Sequence, residues 1–163
     1  DAVALPPGSG PRHLLFSGDG RHAWLTLEMS AAVAVFDHRD GHLGLRESVP
    51  LTALADPAAK AGAALHASAD GRFLYVSNRG TANELVVFAI DPVDGGLTFL
   101  QRRAVEGDHP REFALDPGQG FVLVANQKSD EIVVIRRDPQ TGLLGEVMQR
   151  FAQPAPSDLK FID

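Results

Sequence analysis

One phrase recurs three times along this chain of 163 residues: GPRHLLFSGDGRHAWLTLE from Gly10, GAALHASADGRFLYVSNR from Gly62 and HPREFALDPGQGFVLVANQ from His109. Aligning Trp24, Tyr75 and Leu123 places Glu28, Arg79 and Gln127 at one position, with spacings of 51 and 48 residues. A self-similar period of that length, rich in short strands, is the signature of a β-propeller blade. The alignment also separates a scaffold, which repeats, from candidate chemistry, which does not.

Each repeat carries four strand signals. The first covers residues 12–17, 63–68 and 111–116. It ends at Gly18-Asp19-Gly20, Asp70-Gly71 or Pro117-Gly118, where glycine accepts positive φ and a tight hairpin can form. The second covers 23–27, 74–77 and 122–125. The third is almost continuously apolar (VAVF from Val33, LVVF from Leu85, IVVI from Ile132), as a strand covered on both faces requires. Turns at Asp91-Pro92 and Asp138-Pro139 lead to a more polar fourth strand. Residues 52–61, which include Pro57, read as a loop or short helix.

The expected fold class is all-β, a β-propeller with blade repeats at about 8–55, 60–106 and 107–153 and a closing strand at 156–163. Three blades cannot close a ring, since propellers typically have four to eight. The expectation is therefore a chain with exposed apolar end faces, inactive alone, that needs missing N-terminal blades or another chain to complete the ring.

Composition excludes more than it identifies. Hydrophobic residues make up 44% and charged residues 22%, enough for one soluble core, and no apolar run is long enough for a membrane span. A net charge of −6 argues against nucleic acid as a partner but leaves room for an anionic small molecule held by local arginines. The lack of Cys removes disulfide and thiol chemistry without fixing the compartment. The opening DAVALPPGSG lacks the basic and apolar regions of an export signal, so any such signal has been removed; a cytoplasmic location is expected, with the periplasm left open. No metal or cofactor is implied. The chain has no Cys/His cluster with zinc spacing, no EF-hand loop, no phosphate loop and no G-x-S-x-G elbow.

Antiparallel geometry places the candidate site. The start of a first strand lies beside the end of the second, so Arg12 and His13 should share a rim with Glu28. Arg79 and Gln127 should project from the corresponding rims of the next two blades. Arg12 and Arg111 both follow a proline, whereas the second repeat has Ala63 there, so the strand itself does not demand arginine.

The phrases GPRH at residues 10–13, DGRFLYVSNRG at 70–80 and ANQ at 125–127 resemble the propeller-type lactonase family. That family includes bacterial seven-bladed 6-phosphogluconolactonases and fungal carboxymuconate cyclases. The resemblance covers essentially the whole chain and corresponds to the family's last three blades and closing strand. It implies a metal-independent site at one mouth of the channel, acting on an anionic sugar lactone of the kind met in the pentose phosphate pathway. Arg12, Glu28 and Arg79 match positions of the family's catalytic cleft, and a further family histidine would lie upstream.

Lactone opening needs an activated water or a protonated leaving oxygen, and Glu28 can serve either step. Arg12 and Arg79 can hold an anion through forked hydrogen bonds or stabilise an oxyanion, and His13 can orient substrate or relay a proton. These four form the expected catalytic set; Arg111, His66, Asn126 and Gln127 are the expected substrate-binding set. Each has a structural alternative. Glu28 could be a solvated strand end, Arg12 and Arg79 could bridge blades, and Arg111 and Gln127 could pack them. His66 reads as a core or channel histidine, and Asn78 and Asn126 as side chains tied to nearby backbone. His22, His38, His42 and His109 fall in turns or at strand edges and read as surface residues. A carboxymuconate cycloisomerase and a non-catalytic binding or assembly module are the alternative functions.

Overall fold

The structure is a computed structural model that describes residues 2–162. Each repeat becomes one four-stranded antiparallel sheet with its strands in sequence order. The first sheet holds β1 (Pro11–Phe16), β2 (His22–Leu27), β3 (Ala32–Arg39) and β4 (His42–Pro50). The second holds β5 (Gly62–Ala67), β6 (Phe73–Asn78), β7 (Glu84–Ile90) and β8 (Leu97–Ala104). The third holds β9 (Pro110–Leu115), β10 (Phe121–Asn126), β11 (Glu131–Arg137) and β12 (Leu144–Ala152). The innermost strands face one another, with β5 against both β1 and β9. The segment around Pro57 forms one short 3-10 turn, Pro57–Ala59, capped by the Asp56 carboxylate, which accepts from Ala58 N at 2.9 Å.

Strand alternation explains how the blades stack. Side chains point to opposite faces of a sheet with a period of two residues. Leu74, Val76, Val86 and Phe88 of the middle blade therefore pack on Trp24, Val33 and Val35 of the first. The alternating Phe73, Tyr75, Leu85 and Val87 pack on Phe113, Val122, Val124 and Ile135 of the third. Buried on both sides, β6 and β7 are apolar at Phe73–Val76 and Leu85–Phe88. Facing no further blade, the third sheet leaves Phe121, Met148 and Phe151 exposed, and the first leaves Leu14 and Phe16 exposed.

The aligned aromatic position also carries a repeated polar contact. Trp24 donates its indole N–H to the Gly95 carbonyl at 2.9 Å, and the Tyr75 hydroxyl donates to the Gly142 carbonyl at 2.7 Å. Each ties a blade to its neighbour through the turn before the outer strand.

Two expectations need correction. Residues 156–162 form no strand. Pro154 and Pro156 remove backbone donors at their entry, and among the described residues no sheet edge pairs with them. Asp163, the last residue of that expected strand, lies outside the described residues. His22 is not a surface residue. Only 8% exposed, it lies beneath Gly95 of the second blade, where a Cβ would collide with its ring.

Candidate active site

A β-bulge starts the site. Pro11 pairs with Leu27 and Leu14 with Leu25, so Arg12 and His13 together face the single residue Thr26. Such an insertion bends the strand and re-aims its side chains. The same irregularity recurs between Gly62 and Leu65 and again beside Arg111. Glu28 follows β2, its N–H donating to the Gly10 carbonyl at 2.7 Å, and Arg79 follows β6, its N–H donating to the Ala61 carbonyl at 2.9 Å. Gln127 repeats the pattern on the His109 carbonyl at 3.1 Å. The antiparallel argument thus places the rim correctly.

Glu28 stands between two guanidinium groups. One carboxylate oxygen lies 3.5 Å from Arg12 Nε, and the other accepts from an Arg79 terminal nitrogen at 2.5 Å. The Arg79 side chain is 6% exposed, whereas Glu28 keeps 34%, so the carboxylate still opens toward solvent. Guanidinium can only donate, so both Glu28 oxygens act as acceptors. Arg79 crosses from the middle blade to the first through this pair, and to the third through His109, whose Nε2 lies 3.2 Å from its other terminal nitrogen. His109 is therefore part of the cluster and not a surface residue. It adopts φ +63° immediately before Pro110, and its backbone N–H donates to Asn83 Oδ1 at 2.9 Å.

Facing a donor fixes the state of two imidazoles. Arg12 donates to His13 Nε2 at 3.0 Å, as Arg79 does to His109, so each ring accepts at Nε2 and is neutral. Burial, followed by the adjacent Arg12 cation, pushes His13 below the usual histidine range. Burial, followed by Arg79, does the same to His109. Arg12 is likewise pushed down by burial and then by the neighbouring Arg79 charge. The rim is crowded with positive charge that an incoming anion would relieve.

The family profile described as lactonase, 7-bladed beta-propeller, matches residues 1–161. The chain belongs to this propeller-lactonase family. It is 37% identical to a 6-phosphogluconolactonase of Formosa agariphila over 98% of this chain and 45% of that protein. To a 6-phosphogluconolactonase of Bacillus subtilis it is 34% identical, over 98% of this chain and 46% of that protein. Among solved structures, the periplasmic gluconolactonase of Pseudomonas aeruginosa superposes with a TM-score of 0.95 at 53% identity, over 99% of this chain and 45% of that one. The chain therefore spans under half the length of the relatives it matches.

The remaining candidates separate into three groups. Arg111 lines an open hollow with Arg12, His13, His66 and Glu112 and has no ion-pair partner among the described residues. His66 joins it through Nε2, which donates to the Glu112 carboxylate at 2.8 Å, while its ring packs edge-on to Phe113. The Gln127 side chain makes no hydrogen bond among the described residues. Asn78 is tied to backbone as expected, accepting from Ala61 N–H and donating to the Ala59 carbonyl, both at 3.0 Å. Asn126 is not: fully buried against Gly107, its amide finds no partner among the described residues. Glu112 escaped the sequence reading, although its aligned positions carry His13 and Ala64. That is the same non-repetition that singled out Glu28.

Proposed function

We propose that this chain supplies the acid/base half of a lactone-hydrolase site, with Glu28 as general base and Arg12 and Arg79 as the anion and oxyanion clamp. The observation that carries this reading is one carboxylate held between arginines of two blades, at positions where the scaffold repeats and the side chains do not. Glu28 removes a proton from water as the oxygen adds to the lactone carbonyl carbon. The carbonyl oxygen takes the negative charge and is stabilised by guanidinium N–H groups. Collapse of the adduct breaks the ring C–O bond, the departing oxygen receives the proton, and the product is an open-chain hydroxy acid.

The substrate class is an anionic sugar lactone, with 6-phosphogluconolactone the leading candidate. Arg111, without an ion-pair partner among the described residues, lies beside Arg12 and offers the positive charge that a phosphate would meet. The similarity to a periplasmic gluconolactonase favours the unphosphorylated lactone instead, and kcat/KM measured on both lactones distinguishes them. A cytoplasmic location goes with the phosphorylated substrate and a periplasmic one with the other. The decisive experiment assays Glu28→Gln in a complete seven-bladed ring carrying these three blades. A fall of about 10²–10⁴-fold in kcat/KM is expected for loss of a general base. Undiminished turnover overturns the assignment.

A further inference from the structure

The hollow that Arg111 shares with Arg12 carries two polarities. Guanidinium groups only donate, so the arginines there suit carbonyl, carboxylate or phosphate oxygens. Glu112, in the same lining, can only accept. One of its oxygens takes the His66 Nε2–H at 2.8 Å and the Phe113 backbone N–H at 2.9 Å. Its second oxygen accepts no hydrogen bond among the described residues. With the hydrogen on Nε2, the neutral His66 ring keeps its lone pair at Nδ1, which has no hydrogen-bond partner there either. The Phe113 ring, edge-on at 4.8 Å, fixes the plane of the imidazole. Two acceptors thus stand beside two donors in one open hollow.

Neither half of this pair is a demand of the scaffold. Positions equivalent to Glu112 carry His13 and Ala64, and those equivalent to His66 carry Leu15 and Ala114. Where the first two blades meet, the equivalent positions are therefore Leu15 and Ala64, so stacking two blades needs no polar bridge here. The Glu112 side chain is only 13% exposed, and withdrawing a carboxylate from water is costly unless its oxygens find donors. Protein groups supply donors to one oxygen and leave the other to whatever enters the hollow. Phosphate and carboxylate oxygens bring like charge to Glu112. A hydroxyl can donate to Glu112 or to Nδ1 and accept from an arginine at the same time.

We propose that Glu112 and His66 form a hydroxyl-recognising subsite that selects polyhydroxylated lactones, an inference that rests on the lactone-hydrolase reading above. The arginines take the carbonyl and any anionic group, and the pair takes the polyol. In the complete seven-bladed ring, the ratio of kcat/KM on gluconolactone to that on δ-valerolactone, which lacks the hydroxyls, reads the subsite. Glu112→Met should lower this ratio about 10–100-fold, the loss of a hydrogen bond to a charged acceptor. Glu112→Gln, close to isosteric, exchanges the charged acceptor for a neutral one and should lower it about threefold or more. It decides if Glu112→Met does not fold. Glu28→Gln separates the two readings, because it should impair both lactones alike. An unmoved ratio in the Glu112 variants beside an impaired Glu28→Gln overturns the subsite and spares the Glu28 assignment. Full activity of Glu28→Gln overturns both.

Discussion

Arg79 is an almost fully buried cation, and its two side-chain partners come from different blades. Removing one partner of a buried pair leaves an uncompensated charge, which costs far more than the pair itself contributes. Arg79→Met should therefore cost less stability than Glu28→Ala, because the first variant removes the buried charge that the second strands. Urea midpoints of the two variants check the order, and a more stable Glu28→Ala contradicts it. The neutral imidazoles give a pH dependence of definite sign. Both folded-state pKa values lie below those of the unfolded chain, so neither histidine disfavours folding above about pH 6.5. Below it the unfolded chain binds protons that the folded chain refuses, and stability falls. The groups facing His13 are Arg12, Arg111, His66 and Glu112, and those facing His109 are Arg79, Lys128, Asp108 and Arg111. Replacing both histidines with Asn should flatten the loss of urea midpoint between about pH 6.5 and 5; an unchanged slope contradicts this.

At the scale of elements, the aromatic tie between blades is the feature most open to test. Tyr75→Phe leaves the Gly142 carbonyl and Arg137 Nε without their buried partner, at a cost of about 1–3 kcal/mol in chemical denaturation. Gly142→Ala should do more harm than Gly8→Ala. Both sit at positive φ, +75° and +79°, but only at Gly142 would the new Cβ enter the Phe73 ring. Left-handed strain of about 1–2 kcal/mol is common to both, and overpacking of about 1–3 kcal/mol falls on Gly142 alone. This division shows how much was legible in the sequence. Strand order, turns and rim were readable because they follow from periodicity and glycine placement within one repeat. The burial of His22 was not, because it depends on Gly95 of the next blade. His109 was missed for a similar reason: a turn residue looks exposed until Arg79 of the preceding blade reaches it. Residues 156–162 failed as a strand because a strand is a property of two segments, and the apolar Leu159 to Ile162 identifies only one.

Across the whole molecule, protection should follow position in the stack. The middle blade is covered on both faces and the other two on one, so a nearest-neighbour stack gives it the highest local stability. Amide hydrogen exchange is expected to be slowest in β6 and β7 and fastest in β4 and β12. Uniform protection across the three sheets would contradict that gradient.

The bulge in each innermost strand has an evolutionary consequence. Every copy of the blade turns residues out of the ladder at the same rim: Arg12 with His13, Ala63 with Ala64, and Arg111 beside the paired Glu112. Substitution there leaves inter-strand pairing intact, so a duplicated blade arrives with one or two side chains free to vary. New specificity can then be acquired one blade at a time.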